Sequence, residues 1–221
     1  GDPVRMSAFG YRKPGDLPQK IALFPLNGAI LFPRGVLALN IFEPRYLNMI
    51  DDALGAERMI GIIQPATGEE DEQVPELSDV GTLGRITSFA ETDDGRYLVT
   101  LTGVCRFNYG RELEGKPYRQ AIVTYDDFAD DFTVSPGGTI NRPKLISALR
   151  TYANLHGFQV DWFFNDTAPT ETVINVAAQI CPFDPAAKQA LLEAPTLEER
   201  CQALIALVEW GSSDDVSRPL Q

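Results

Sequence analysis

Val36-Leu37-Ala38-Leu39-Asn40-Ile41-Phe42-Glu43-Pro44-Arg45-Tyr46 is the stretch on which the fold turns. Its first part, residues 36–42, is a continuous uncharged run too short for a helix, and it reads as a buried strand. The character changes at Glu43-Pro44. A proline fixes φ near the helical value and lacks an N–H that a first helical turn leaves unpaired anyway, so a helix is predicted to begin at Pro44. Tyr46, Leu47, Ile50 and Leu54 then recur on one face until Gly55. A strand feeding directly into a helix with an apolar stripe predicts a sheet that this helix plugs.

Working outward, Ile21-Ala22-Leu23-Phe24 is a second buried strand, set off by Pro25, Gly28, Pro33 and Gly35. Residues 58–64 return to strand, and residues 67–79 form an acidic loop in which Glu69, Glu70, Asp71 and Glu72 offer no apolar face. Residues 84–91 and 96–102 form a hairpin around Thr92-Asp93-Asp94-Gly95, where Asp-Gly supplies the positive φ of a tight turn. Two further strands, 106–113 and 119–128, flank Gly115-Lys116-Pro117. Residues 129–141, with Asp130-Asp131, Pro136 and Gly137-Gly138, have the composition of a linker. Beyond them the pattern is helical. Pro143 opens a helix with Leu145, Leu149 and Tyr152 on one stripe, closed by Gly157. A second helix covers residues 169–181, Asp184-Pro185 starts a third, and the Thr196 to Glu199 capping box starts a fourth, striped by Leu197, Cys201, Leu204, Ile205 and Val208. The predicted organisation is an arm (1–20), a β-rich subdomain (21–128), a linker (129–141), a helical subdomain (142–211) and a tail (212–221). The fold class is α+β: a partly open β-barrel with one plugging helix, followed by an α-helical bundle.

Among the 221 residues, 19 Lys and Arg stand against 31 Asp and Glu, a net charge of −12 that repels phosphate backbones. Nucleic acid is therefore not an expected partner. Cys105, Cys181 and Cys201 have no CxxC spacing and sit among apolar neighbours, which fits a reducing compartment. No run approaches the length of a membrane helix and the N-terminus lacks the apolar stretch of a signal peptide, so a cytoplasmic location is expected, with no membrane contact. The sequon Asn165-Asp166-Thr167 matters only in a secreted protein. Trp162-Phe163-Phe164 is expected to be core.

Sequence patterns that carry chemistry do not assemble. A phosphate-cradling GxxxxGK[ST] is missing, since the one Gly-Lys pair, Gly115-Lys116, is followed by Pro117. Every serine lacks the GxSxG elbow, and the single His156 reads as a cap on a helix end. Lys13, Lys20, Lys116, Lys144 and Lys188 read as solvated charges, and one His with scattered cysteines makes no tetrahedral metal set. No enzymatic activity, cofactor or metal is expected.

Several segments resemble one family in sequence and in order. They are Ile21-Ala22-Leu23-Phe24-Pro25-Leu26, Leu31-Phe32-Pro33-Arg34-Gly35, the 37–46 stretch, Val80-Gly81-Thr82-Leu83-Gly84-Arg85-Ile86, and residues 95–107 through Gly103-Val104-Cys105-Arg106-Phe107. Pro182-Phe183-Asp184-Pro185 with residues 188–193 continues the series. Together they look like the N-terminal domain of Lon proteases over about residues 21–210. The resemblance implies a PUA-like barrel, a helical bundle, and a part in substrate binding without the ATPase and Ser-Lys peptidase. The implied role is a non-catalytic polypeptide-binding or adaptor module, with unfolded or partly folded polypeptides or protease components as partners.

Candidate contact residues are Ile30, Leu31, Phe32, Pro33, Arg34, Phe42, Arg45 and Tyr46, beside the first loops of the barrel, where an extended segment can add to a sheet edge. Structural roles are expected alongside: Phe42 and Tyr46 stapling the helix to the barrel, and Arg106 bonding strand-end carbonyls or a carboxylate such as Glu43. The rival reading is an RNA-binding PUA-like protein. It needs Arg85, Arg96, Arg106, Arg111 and Arg119 to gather into a basic stripe.

Overall fold

The computed structural model describes residues 9–66, 74–159 and 167–213. Glu69, Glu70, Asp71 and Glu72, the Trp162-Phe163-Phe164 triplet, and Asn165 and Asp166 of the sequon lie outside the described residues. Contacts divide the chain into two compact units, Gly1–Val134 and Ser135–Gln221.

The first unit holds a six-stranded sheet: β1 (Lys20–Pro25), β2 (Val36–Ile41), β3 (Met59–Ile63), β4 (Val80–Glu91), β5 (Tyr97–Leu113) and β6 (Gln120–Thr124). The order is β2-β5-β4-β3-β1-β6, and β6 also pairs with β5. Five strands, β5-β4-β3-β1-β6, thus close on themselves, while β2 is attached to the first half of β5. The β1–β3 pair is parallel and the other pairs are antiparallel. This partly closed ring is the α+β architecture that the sequence predicts.

Local boundaries differ from expectation at the ring's seam. The two strands read at 96–102 and 106–113 are one, β5, and it serves β2 with one half and β6 with the other. Two glycines let it turn. A Cβ at Gly103 would lie 2.0 Å from the carbonyl oxygen of Phe32, so only glycine admits the crossing segment that bridges Pro33 to Gly103. A Cβ at Gly110 would meet the Ile122 carbonyl at 2.5 Å, at the register shift where β5 passes β6. The strand read at 84–91 starts earlier, at Val80. The one read at 119–128 stops at Thr124 and gives way to a 3-10 segment, Asp126–Phe132, whose last two residues are buried.

The helix α1 (Pro44–Leu54) begins at the predicted proline. Its buried face, Tyr46, Met49, Ile50 and Ala53, joins Phe24, Leu31, Ile41, Ile60, Ile62 and Leu101 in one apolar cluster. The ring of Tyr46 stacks on Phe24 at 4.4 Å between centroids. Phe42 takes no part in this staple: it is 65% exposed, because the alternation that points Ile41 inward turns its neighbour outward. A second cluster, centred on Leu23, Leu83, Cys105, Phe107 and Val123, fills the ring. Burial on this scale contributes about 1.5–3 kcal/mol for each large side chain.

The second unit consists, among the described residues, of α2 (Arg142–His156), α3 (Thr170–Ile180), α4 (Pro185–Glu193) and α5 (Leu197–Gly211). Its caps are those read from sequence. Asp184 accepts from the Ala187 amide, Thr196 from the Glu199 amide, and Gly157 ends α2 at φ 77°. Leu145, Leu149, Val173, Ile174, Leu191, Leu204 and Val208 are buried. Two cations are buried with them. Lys188, read as solvated, donates to the Gln179 carbonyl at the end of α3. Arg200 donates to the Leu191 carbonyl near the end of α4 and to Asn175 Oδ1. Both satisfy helix C-terminal carbonyls at the negative end of a helix dipole. His156 lies 3.0 Å from the last carbonyl of α5, at Gly211, so it serves the end of a neighbouring helix. Among the described residues, no helix is long and apolar enough to cross a membrane.

Candidate polypeptide-binding surface

The predicted contact residues separate into two groups. Ile30, Leu31, Phe32 and Pro33 are buried, so in this structure their side chains belong to the core and not to a docking surface. Hydrophobic loop residues next to a strand bury for the same reason that the strand does. Arg34 is half-buried at φ 67° and donates to the Asp131 carbonyl. Tyr46 is buried beneath Arg45, whose guanidinium lies 4.6 Å above its ring while donating to Glu43 at 3.1 Å. Phe42 alone presents a large apolar side chain to solvent.

Around Phe42 the structure places residues that the sequence reading left unused. In β2, Val36, Ala38 and Asn40 are exposed. Cross-strand pairing sets Asn40 beside Leu98 and Ala90, and Ala38 beside Thr100 and Ser88. Opposed residues project to the same side of a sheet, so these strands share one outer face with no charge among those named positions. Val36 is 58% exposed and Leu98 45%. The strand's alternation carries the signal that would have found them, since a strand with Leu37, Leu39 and Ile41 inward must turn Val36, Ala38, Asn40 and Phe42 outward. Strand β2 is also a sheet edge: among the described strands only β5 pairs with it, and α1 packs on β1 and β3.

The expected partner of Arg106 is not the one it has. Glu43 is occupied by Arg45, and Arg106 instead meets Asp131, from the stretch read as linker. The Asp131 carboxylate accepts from the Arg106 amide at 2.9 Å, from Nε at 3.1 Å and from Nη2 at 2.9 Å. The guanidinium lies 4.7 Å from the centre of the Phe128 ring. Both ions are buried, and the pair fixes the 3-10 segment to β5.

A cleft of about 780 Å³ lies between α1 and the β1–β6 side of the sheet, lined in part by Lys20, Asp51, Asp52, Glu57, Lys116 and Tyr118. Tyr118 donates to Asp52 at 2.6 Å, and Lys116 stands 3.5 Å from the same carboxylate. That hydrogen bond, helped by Lys116, holds Asp52 below the usual carboxylate range, while burial and then Asp52 itself push the Tyr118 hydroxyl up. The pair is thus fixed as carboxylate and phenol, and neither partner is set to exchange a proton near neutral pH. Burial likewise pushes the Cys105, Cys181 and Cys201 thiols up, which opposes thiolate chemistry. No group of three metal-ligating side chains occurs among the described residues.

Four of the five arginines that the RNA reading needs are engaged by other side chains of the chain. Arg96 pairs with Asp94, Arg119 with Glu112 and Arg106 with Asp131, and Arg85 donates to Tyr11.

The fold has counterparts among known proteins. Residues 20–209 match a family model described as the ATP-dependent protease La (LON) substrate-binding domain. Lon protease 2 of Myxococcus xanthus is 27% identical over 214 residues, covering 93% of this chain and 25% of the relative. A Lon protease of Anaeromyxobacter dehalogenans is 27% identical over 199 residues, covering 87% and 23%. The chain therefore spans about a quarter of the length of these relatives. In fold it is similar to a Lon N-terminal domain protein from Xanthomonas campestris, with a TM-score of 0.58, 21% identity and coverage of 87% of this chain and 99% of that one. The N-terminal domain of a Mycobacterium avium complex Lon protease gives a TM-score of 0.59 at 15% identity, over 86% and 98%.

Proposed function

Because the chain belongs to the substrate-binding domain family of the ATP-dependent protease La (LON), we propose that it is a non-catalytic module that holds unfolded polypeptides in the cytoplasm and presents them to protease components. The observation that carries this reading is the part of the outer face of β2, β5 and β4 at Ala38, Asn40, Ser88, Ala90, Leu98 and Thr100, which holds no charged residue. Val36, Phe42 and Leu98 expose apolar area there in a chain of net charge −12. Exposed apolar surface on an acidic protein suits partners that themselves expose apolar side chains, and an unfolded chain does so along its whole length.

Fluorescence anisotropy with a labelled, permanently unfolded protein tests the binding step. The intact chain binds it in preference to the same protein folded, and the Phe42→Ser, Leu98→Ser double variant weakens binding about thirtyfold, since each lost anchor is worth roughly 1 kcal/mol. Equal affinity for both variants and both client states would remove the reading. The adaptor step is read separately: adding the chain to a Lon protease speeds degradation of the unfolded client and leaves that of a short free peptide unchanged.

A further inference from the structure

We propose that the Val36 end of the outer face of β2, β5 and β4 takes aromatic side chains of a bound polypeptide, with Arg85 as the residue that receives them. The chain's own Phe9-Gly10-Tyr11 fills this site, and a client binds there by displacing it. This rests on the polypeptide-binding reading and sharpens it, naming the chemistry of what is bound and the segment that competes with it.

Register places Arg85 on that face. It stands opposite Thr102, which in turn stands opposite Val36, and opposed residues project to the same side of a sheet. Leu83, two residues earlier in β4 and therefore on the same side, belongs to the cluster that fills the ring, so the face runs on into the ring's apolar interior. The residues ahead of β1 reach this junction. Tyr11 packs against the ring cluster, and its hydroxyl accepts from Arg85 Nη1 at 2.9 Å. The Arg85 guanidinium lies 5.0 Å from the centre of the Phe9 ring, and that ring is 6.4 Å from the ring of Tyr11. One guanidinium thus holds two aromatic side chains separated by a glycine.

The partners of Arg85 commit the occupant. Among the described residues Arg45, Arg96, Arg106 and Arg119 each pair with a carboxylate, whereas the Arg85 side chain meets a phenol and a phenyl ring. Neither contact neutralises the guanidinium, and the aromatic side chains of another polypeptide make the same contacts. The segment that now fills the site is fastened behind it. Asp16 accepts from the amides of Arg12 and Lys13, Leu17 is buried, and Tyr125 donates to the Pro18 carbonyl. Ahead of these ties Phe9 and Tyr11 are only half-buried, and Gly10 between them is exposed. Residues 9–11 can therefore lift away while residues 12–18 stay in place. A client then meets a site that is open in only a fraction of the chains, and its apparent affinity falls by that fraction.

The test uses the full chain, a Phe9→Ser, Tyr11→Ser variant whose site is emptied, and a labelled peptide copying residues 7–13 beside a twin with serine in place of both aromatics. The emptied variant is expected to bind the aromatic peptide about tenfold tighter than the intact chain does, and about tenfold tighter than it binds the twin. Adding Arg85→Gln to the emptied variant, which removes the cation and keeps a polar side chain, weakens the aromatic peptide about fivefold, the scale of a cation–π contact with its hydrogen bond. Should the double variant fail to fold, because Tyr11 packs on the ring cluster, Phe9→Ser alone replaces it, with an expected gain of about threefold. Equal binding of the aromatic peptide by the intact and emptied chains, or a gain that survives Arg85→Gln, overturns the proposal while the polypeptide-binding reading stands on the unfolded-protein measurement. Absence of any binding to the unfolded protein by either chain removes both. A dimer seen by sedimentation in the intact chain and lost in the emptied variant also overturns it, because the segment then fills the site of a second copy.

Discussion

Replacing Asp131 by alanine isolates a buried ion pair of the first unit. Asp131 and Arg106 are 7% and 5% exposed, and the carboxylate receives three hydrogen bonds from Arg106, at 2.9, 3.1 and 2.9 Å. Deleting it takes from a buried guanidinium, which cannot deprotonate, the carboxylate that accepts its hydrogen bonds beside the face of Phe128. Removing one member of a buried pair costs about 3–5 kcal/mol, against a total stability of about 5–15 kcal/mol for a domain. With a urea slope of about 2 kcal/mol per molar, the unfolding midpoint drops by about 2 M. The assay is urea unfolding followed by far-ultraviolet circular dichroism and tyrosine signals. Tryptophan fluorescence is the wrong probe, because Trp162 and Trp210 both lie beyond Val134. The paired Arg106→Leu, Asp131→Leu variant is expected to cost less than Asp131→Ala, since it removes the orphaned charge together with its partner. A loss below about 1 kcal/mol for Asp131→Ala would refute the reasoning, because that is the worth of a solvated ion pair.

Further outcomes follow from burial. All three cysteines are buried with thiols pushed up by desolvation, Cys181 to about 12, so a thiol reagent should label none in the folded chain at neutral pH and all three after denaturation. Tyr46, Tyr118, Tyr125 and Tyr152 are all raised above the ordinary 10.0, with burial the largest cause. A folded-state value above the unfolded one gives stability that is complete below pH 10 and lost as pH rises through the folded values, about 12 for Tyr152. Tyrosinate absorbance should therefore lag free tyrosine on alkaline titration and rise together with loss of the dichroic signal. Tyr46→Ala, which removes the Phe24 stack, should destabilise by about 3 kcal/mol on thermal or urea unfolding. Phe42→Ser, at an exposed position, should change stability by less than about 0.5 kcal/mol.

What could be read in the sequence is what local chemistry determines. Pro44 starts α1, Gly157 ends α2 in the left-handed region, and Asp184 and Thr196 cap their helices, because each effect acts within a few residues. What could not be read depends on distant partners. Asp131 lies 25 residues from Arg106, and its neighbours Asp130 and Pro136 gave it the look of a solvated linker residue. The burial of Lys188 and Arg200 depends on carbonyls nine residues away at helix ends whose placement only packing defines. β5 read as two strands because glycine breaks a β pattern, whereas Gly103 is where the chain crosses and the strand continues. Of the candidate contact residues, Phe42 is exposed and does not staple the helix, whereas the run from Ile30 to Pro33, read as surface, is buried. Leu98 required the cross-strand register, which no single strand contains.

Amide hydrogen exchange across β2, with and without a saturating unfolded polypeptide, tests the central claim most directly. A polypeptide laid across the outer face of β2 slows exchange of backbone amides in Val36–Ile41, while the ring's interior strands change little. Protection concentrated in Val36–Ile41, and lost in an Ala38→Lys chain, is the result that this account predicts. Binding that leaves those amides exchanging at their free rate, with protection appearing elsewhere, would contradict it.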